Sequence, residues 1–189
     1  MKKTISIFLA LIFVLSALFA VPMSAQAKKK GFSSYKAVIN YYYDNYDVGF
    51  IGYNYLTVKT PYGKQKALIV DKGDSLKQRT RVYVKNKENR AVKHQVLYGS
   101  IVSFSKDRKY LLTQEHVDTG TEVIRLYQYK KKDKKYVWRA QGHTQYGSRF
   151  PKEITYKQAL KNIKKKTKVN VLKFKKFDSG KYVIYSYYD

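Results

Sequence analysis

The chain has 189 residues, 39 of them Lys or Arg against 13 Asp or Glu, giving a formal charge of +26, and it has no cysteine. The lack of Cys excludes a disulfide scaffold, a lipid-modified cysteine at a cleavage site, thiol catalysis and any Cys-based zinc site. Aromatic residues are 16% of the chain and include 20 Tyr, which is too much for a disordered polycation.

Residues 1–27 read as a secretory signal. Lys2 and Lys3 form its charged start, Ile5 to Val21 its apolar run, and Pro22 and Ala25-Gln26-Ala27 its cleavage region. The competing reading is an uncleaved membrane anchor, because the run approaches spanning length. The small-x-small site at the usual place favours cleavage. Removing Lys2 and Lys3 leaves 37 basic residues against 13 acids, a mature charge of +24. The expected product is one secreted, mostly-β domain over 28–189, secreted or associated with the cell wall, with no transmembrane anchor after cleavage. Its composition fits a bacterium with a single membrane.

Lys28 to Gly31 is a basic lead-in. Tyr35, Val38, Ile39, Tyr42 and Tyr46 recur at helical spacing and predict a helix over 34–46, with Ser33 or Ser34 as N-cap. A Tyr-rich strand over Val38–Tyr43 competes with it. Serial strands follow at Tyr53–Lys59, Ala67–Val70, Arg79–Lys85 and Ala91–Tyr98. They are separated by turns at Pro61-Tyr62-Gly63, Asp71-Lys72-Gly73-Asp74 and Asn86–Asn89. Val92 and Val96 are expected on one side of the last of these strands.

A β-meander then runs over Val96–Phe104, Tyr110–Val117, Glu122–Tyr129 and Tyr136–Gln141, with a bend or bulge expected at Gly99. In its third strand Ile124 and Leu126 share one face, and Val123, Tyr127 and Tyr129 the other. Both faces are apolar, so the second is expected under a helix or exposed as a Tyr surface. Gly142–Arg149 reads as a loop. A helix over 155–166 follows, with Thr155 as N-cap, a stripe of Tyr156, Ala159, Leu160 and Ile163, and a cover of Lys157, Lys161, Lys164 and Lys165. A last hairpin is expected over Lys168–Phe177 and Lys181–Tyr188, with Leu172 and Phe174 buried. The fold class is α+β, mainly an antiparallel β-meander sheet with a helix near each end. A closed or half-open barrel is the expected variant.

Few residues are arranged for chemistry. His94, His116 and His143, with Glu115 and Asp118 beside His116, lack the spacing of a helical zinc motif. Sheet histidines are expected rather than a metal site, and no cofactor is expected. There is no G-x-S-x-G elbow and no phosphate-binding glycine loop. Six of the 13 acids (Asp71, Asp74, Asp107, Asp118, Asp133 and Asp178) read as turn residues, where Asp bonds to nearby backbone.

The broad signal is basic and aromatic interleaving. Tyr127, Tyr129, Lys130, Lys131, Lys132, Tyr136, Trp138 and Arg139 are the candidate polyanion- or surface-binding residues. The competing reading is cross-strand Tyr packing with lysines in turns and on edges. The leading expectation is an exported, strongly basic, non-enzymatic module. It would associate with anionic envelope polymers of the teichoic acid type or with anionic surfaces. Nucleic acid is not expected as the physiological partner.

One alternative is a secreted hydrolase acting on wall or polysaccharide, in which His116, Glu115 and Asp118 converge with a second acid. Another is a cationic toxin or antimicrobial acting through the amphipathic Lys157–Lys166 stretch. Residues 131–143 and 155–177 resemble, in layout and composition, small exported proteins of Gram-positive bacteria. Residues 166–172, KTKVNVL, resemble bacterial SH3-like wall-binding repeats, without the Gly that usually precedes Thr-Lys-Val. Neither likeness carries an activity or a residue role across.

Overall fold

The computed structural model describes residues 31–44, 50–73, 78–178 and 183–184. The expected signal segment, Tyr46, Asp74 and most of the last expected strand lie outside them. Helix α1 spans Tyr35–Asp44. Ser34 caps it, its Oγ accepting from Ala37 N at 3.1 Å, and Val38 and Tyr42 form its buried stripe.

Two antiparallel five-stranded sheets follow, and the protein is α+β and mostly strand. The first sheet holds β1 (Phe50–Thr60), β2 (Gly63–Gly73), β3 (Arg79–Lys85) and β4 (Ala91–Tyr98) in chain order, with β10 (Val183–Ile184) on the outer edge of β1. The second holds β5 (Ser100–Phe104), β6 (Tyr110–Asp118), β7 (Thr121–Lys130) and β8 (Lys135–His143), with β9 (Lys175–Lys176) beside β5.

The sheets do not form a closed barrel, and the stretch Val96–Phe104 is not one strand. Gly99, at φ +79°, ends β4 in one sheet and starts β5 in the other. A Cβ there would lie 2.6 Å from the Gln114 carbonyl oxygen, so the corner needs a residue with no side chain and a left-handed backbone. One corner of the sandwich is still stapled. On β4, Gln95 Oε1 accepts from Tyr136 N of β8 at 2.9 Å, while its Nε2 donates to Tyr136 O. One amide thereby satisfies two edge-strand backbone groups that a closed barrel would pair.

Three apolar clusters fill the layers. Leu56, Val58, Ile69, Val82, Val84 and Leu97 of the first sheet meet Ile101, Phe104, Leu111, Tyr127 and Tyr136 of the second. Helix α1 covers the other face of the first sheet through Val38 and Tyr42, against Leu68, Val70 and Tyr83. Helix α2 (Tyr156–Thr167) covers the other face of the second, where Ala159, Leu160 and Ile163 meet Leu112, Ile124, Leu126 and Ala140. Burying a side chain the size of Ile163 contributes roughly 1.5–3 kcal/mol. Thr155 and Gln158 form a reciprocal capping box at the start of α2.

Two expectations need correction. Val92 and Val96 do not share a face. Val82 pairs with Gln95 and Tyr83 with Lys93, so His94 is an extra residue and reverses the alternation. Val92 packs on the inter-sheet core together with Leu97, while Val96 is 45% exposed. Residues 168–177 are not a long strand either. Lys168 ends α2 in a left-handed conformation, a 3₁₀ turn follows at Val171–Lys173, and only the two residues of β9 pair. Leu172 is accordingly 41% exposed, whereas Val171 is buried and Phe174 half-buried.

Candidate functional site

The eight candidate residues separate by environment. Tyr127 and Tyr136 are buried between the sheets and present no ring to solvent. Tyr129 is half-buried against the same core. Their hydroxyls join the sheets: Tyr136 OH donates to Arg108 O at 2.7 Å and accepts from Lys59 N at 3.2 Å. Tyr129 OH donates to Thr60 O at 3.0 Å, and Tyr127 OH accepts from Tyr98 N at 3.2 Å. Burial pushes the Tyr127, Tyr129 and Tyr136 phenols up from their ordinary pKa. The apolar Tyr face of β7 is therefore covered by the other sheet, not by a helix and not by a ligand-accessible surface. The physical reason is that a phenol offers a large apolar body with a polar tip, which suits a buried inter-sheet hydrogen bond.

Lys130 at the end of β7 and Lys131 and Lys132 in the β7–β8 turn are exposed. Trp138 and Arg139 are exposed on β8, Trp138 at 56%. They stand out together because β8 bulges. Leu126 pairs with Ala140 and Tyr127 with Trp138, leaving Arg139 as the extra residue. A regular edge strand would turn one of two consecutive side chains inward.

Beside them lies the second component, which the candidate set lacked. Trp138, Arg139, Ala140 and Gln141 of β8, with Lys166 and Thr167 at the end of α2, line a groove of about 460 Å³. Helix α2 runs back along β8: Gly142 approaches Ala159, while Lys166 and Thr167 lie by residues 138–141. Its last turn thus points towards the start of β8 and the lysine-rich turn. Lys161, Lys164, Lys165 and Lys168 surround Leu172 in a neighbouring depression of about 490 Å³.

From Tyr156 to Phe177 the chain carries nine lysines and no carboxylate, and all nine are exposed. No ion pair is formed by Arg139 or by any of these lysines among the described residues. The sequence signal for this component was the acid-free run, which helical periodicity alone assigns to a solvated helix cover. The contribution of Gln141 and Thr167 depends on docking and has no local signal.

Among the described residues, the acids and histidines singled out by the sequence sit in separate environments. Glu115 is 4% exposed and its two carboxylate oxygens meet Arg79 Nη1 and Arg125 Nη1, each at 2.5 Å. Both guanidinium groups lie over the Tyr98 ring, at 4.1 and 5.5 Å from its centre. Asp118 is exposed and pairs with Arg149. Hydrogen bonds from Thr121 and Arg149 hold its pKa below the ordinary carboxylate value. Glu115 and Asp118 therefore sit in separate ion pairs and do not converge. His94 is half-buried, and that burial lowers its pKa, while His143 is exposed. No group of three or more His, Asp or Glu able to hold a metal occurs among the described residues. No helix among them is long and apolar enough to cross a membrane.

Comparison with protein-family models, curated proteins and solved structures finds no match to this chain.

Proposed function

We propose that the protein is an exported, strongly basic, non-enzymatic module that associates with anionic polymers of the cell envelope. The observation that carries this reading is the run of nine exposed lysines with no carboxylate of its own over residues 156–177, four of which surround Leu172 and one of which lines the groove of Trp138 and Arg139. Nine exposed lysines without a carboxylate repel one another, and a polyanion that replaces their counterions relieves that repulsion. Lys161, Lys164, Lys165 and Lys168 follow the i, i+3, i+4, i+7 spacing of one helix face. At about 1.5 Å rise per residue they span roughly 10 Å, enough to meet successive phosphates of one chain.

The test is retention of the mature protein on purified wall, with and without teichoic acid, across a salt series. The combined change K161Q, K164Q, K165Q and K168Q is expected to lower the salt concentration for half-release by at least two-fold. The equal charge change K36Q, K64Q, K87Q and K93Q, placed elsewhere, is expected to lower it less. Retention that ignores both salt and teichoic acid contradicts the reading. Equal effects of the two variants show attraction by net charge with no specialised face.

A further inference from the structure

We propose that the groove between β8 and the end of α2 is a subsite for one glycosyl phosphate unit, a sugar joined to a phosphate diester. This deepens the polymer reading above and rests on it for the polymer, but its chemistry comes from the groove itself.

Arg139 and Lys166 line the same small groove, have no ion-pair partner among the described residues and have no carboxylate between them. Two like charges at one site lower their mutual repulsion most when an anion enters. A guanidinium can grip a phosphate with two parallel hydrogen bonds, and the lysine adds a compact charge.

An anion alone does not account for Trp138. Trp138 is 56% exposed and lines the groove together with those cations, next to the bulge at Arg139. A flat aromatic face with an adjoining amide suits the apolar C–H face of a pyranose ring, with the amide meeting its hydroxyls. Gln141 can supply that amide. Its nitrogen contacts His143 Nε2 at 3.2 Å, and its carbonyl is left to accept from a sugar hydroxyl. Thr167 is a wall of the groove rather than a donor, because its hydroxyl proton is used by Ile163 O at 2.8 Å. The volume of about 460 Å³ lies in the range of small-molecule pockets, roughly 300–1,000 Å³. An anionic bilayer is the poorer fit, since it would meet a single exposed aromatic ring among polar groups, with no apolar patch around it to insert.

Trp138 is the chain's only tryptophan, so its fluorescence reports on this groove alone. The full mature chain is excited at a wavelength selective for tryptophan and titrated with glucose 1-phosphate, glycerol phosphate and free glucose at matched ionic strength. The expected result is a saturable change with glucose 1-phosphate, with apparent affinity at least ten-fold above that for glycerol phosphate or glucose. R139Q is expected to weaken it at least ten-fold. Because Trp138 and Arg139 are exposed, W138F and R139Q should fold as the parent does, which far-UV circular dichroism checks.

Equal response to glucose 1-phosphate and glycerol phosphate overturns the sugar subsite, as does no response to either. A blue shift on anionic phosphatidylglycerol vesicles without a glucose 1-phosphate response also overturns it, in favour of a lipid surface. If the wall retains the protein in a salt-dependent way while sugar phosphate is silent, the subsite fails and the polymer reading stands. If sugar phosphate saturates the groove while the wall retains nothing, the polymer reading fails and the subsite stands.

Discussion

At the scale of single residues, Glu115 is a buried carboxylate that joins two ion pairs. It sits on β6, where strand alternation turns it inward, and it meets one arginine from each sheet. Its partners are not fully buried: the Arg79 and Arg125 side chains keep 29% and 16% of their exposure. Removing the carboxylate charge leaves two guanidinium groups side by side over Tyr98, with an uncharged amide in place of their counterion. Breaking a buried ion pair from one side costs about 3–5 kcal/mol, and the partial exposure of the arginines puts E115Q near the lower end, about 3 kcal/mol. Urea unfolding should show this as a lower midpoint with little change in slope. The exposed Asp118–Arg149 pair is the internal control, because screened surface pairs contribute little. D118N should leave the midpoint where it is, and equal shifts in the two variants would contradict the ranking.

At the scale of elements, the position of α2 is set by a close approach. A Cβ on Gly142 would lie 2.8 Å from the Ala159 carbonyl oxygen, which belongs to the helix backbone and cannot rotate away. G142A should therefore lift the helix from β8, with an overpacking cost of about 1–3 kcal/mol. It should also weaken wall retention at unchanged net charge, because the groove needs both walls. Normal retention with reduced stability would show that binding needs the helix lysines but not their docking. Local features of this helix were legible in the sequence. Thr155 as cap and the stripe of Ala159, Leu160 and Ile163 are set by neighbours three or four residues away. The bounds Arg79–Lys85 and Ala91–Tyr98 were legible for the same reason, through alternation and turn residues. The bulges at His94 and Arg139 were not, because an extra residue is defined by the partner strand. Simple alternation therefore puts Val96 on the wrong face. Whether the Tyr side of β7 met solvent was a tertiary question, and the answer came from β1 and β4 far away in sequence. Of the candidate site, Trp138 and Arg139 lie in the groove, while Lys166 and Gln141 join them only through docking.

At the scale of the whole molecule, the phenols that pin the layers together set an alkaline limit. Burial pushes Tyr35 up to about 12, and it raises Tyr42, Tyr83, Tyr127, Tyr136 and Tyr156 as well. These groups are neutral in the fold, so their contribution is fully present below the ordinary tyrosine value of about 10. Above it the unfolded chain releases phenolic protons that the folded chain still holds. The folded state then binds more protons, and stability falls as pH rises through the folded pKa values. An opposing effect exists, since lysines lose charge in the same range and self-repulsion weakens. The phenols should prevail. The lysines are mostly exposed and already screened over about 10 Å at 0.1 M salt, whereas a phenolate between the sheets would sit in apolar packing. The urea midpoint is therefore expected to drop between pH 9 and pH 11, and to do so at high salt as well as low. In an alkaline titration, part of the tyrosinate absorbance should appear together with the loss of near-UV circular dichroism. Complete ionisation in one step with the dichroism intact would show that the buried phenols do not hold the layers together in solution.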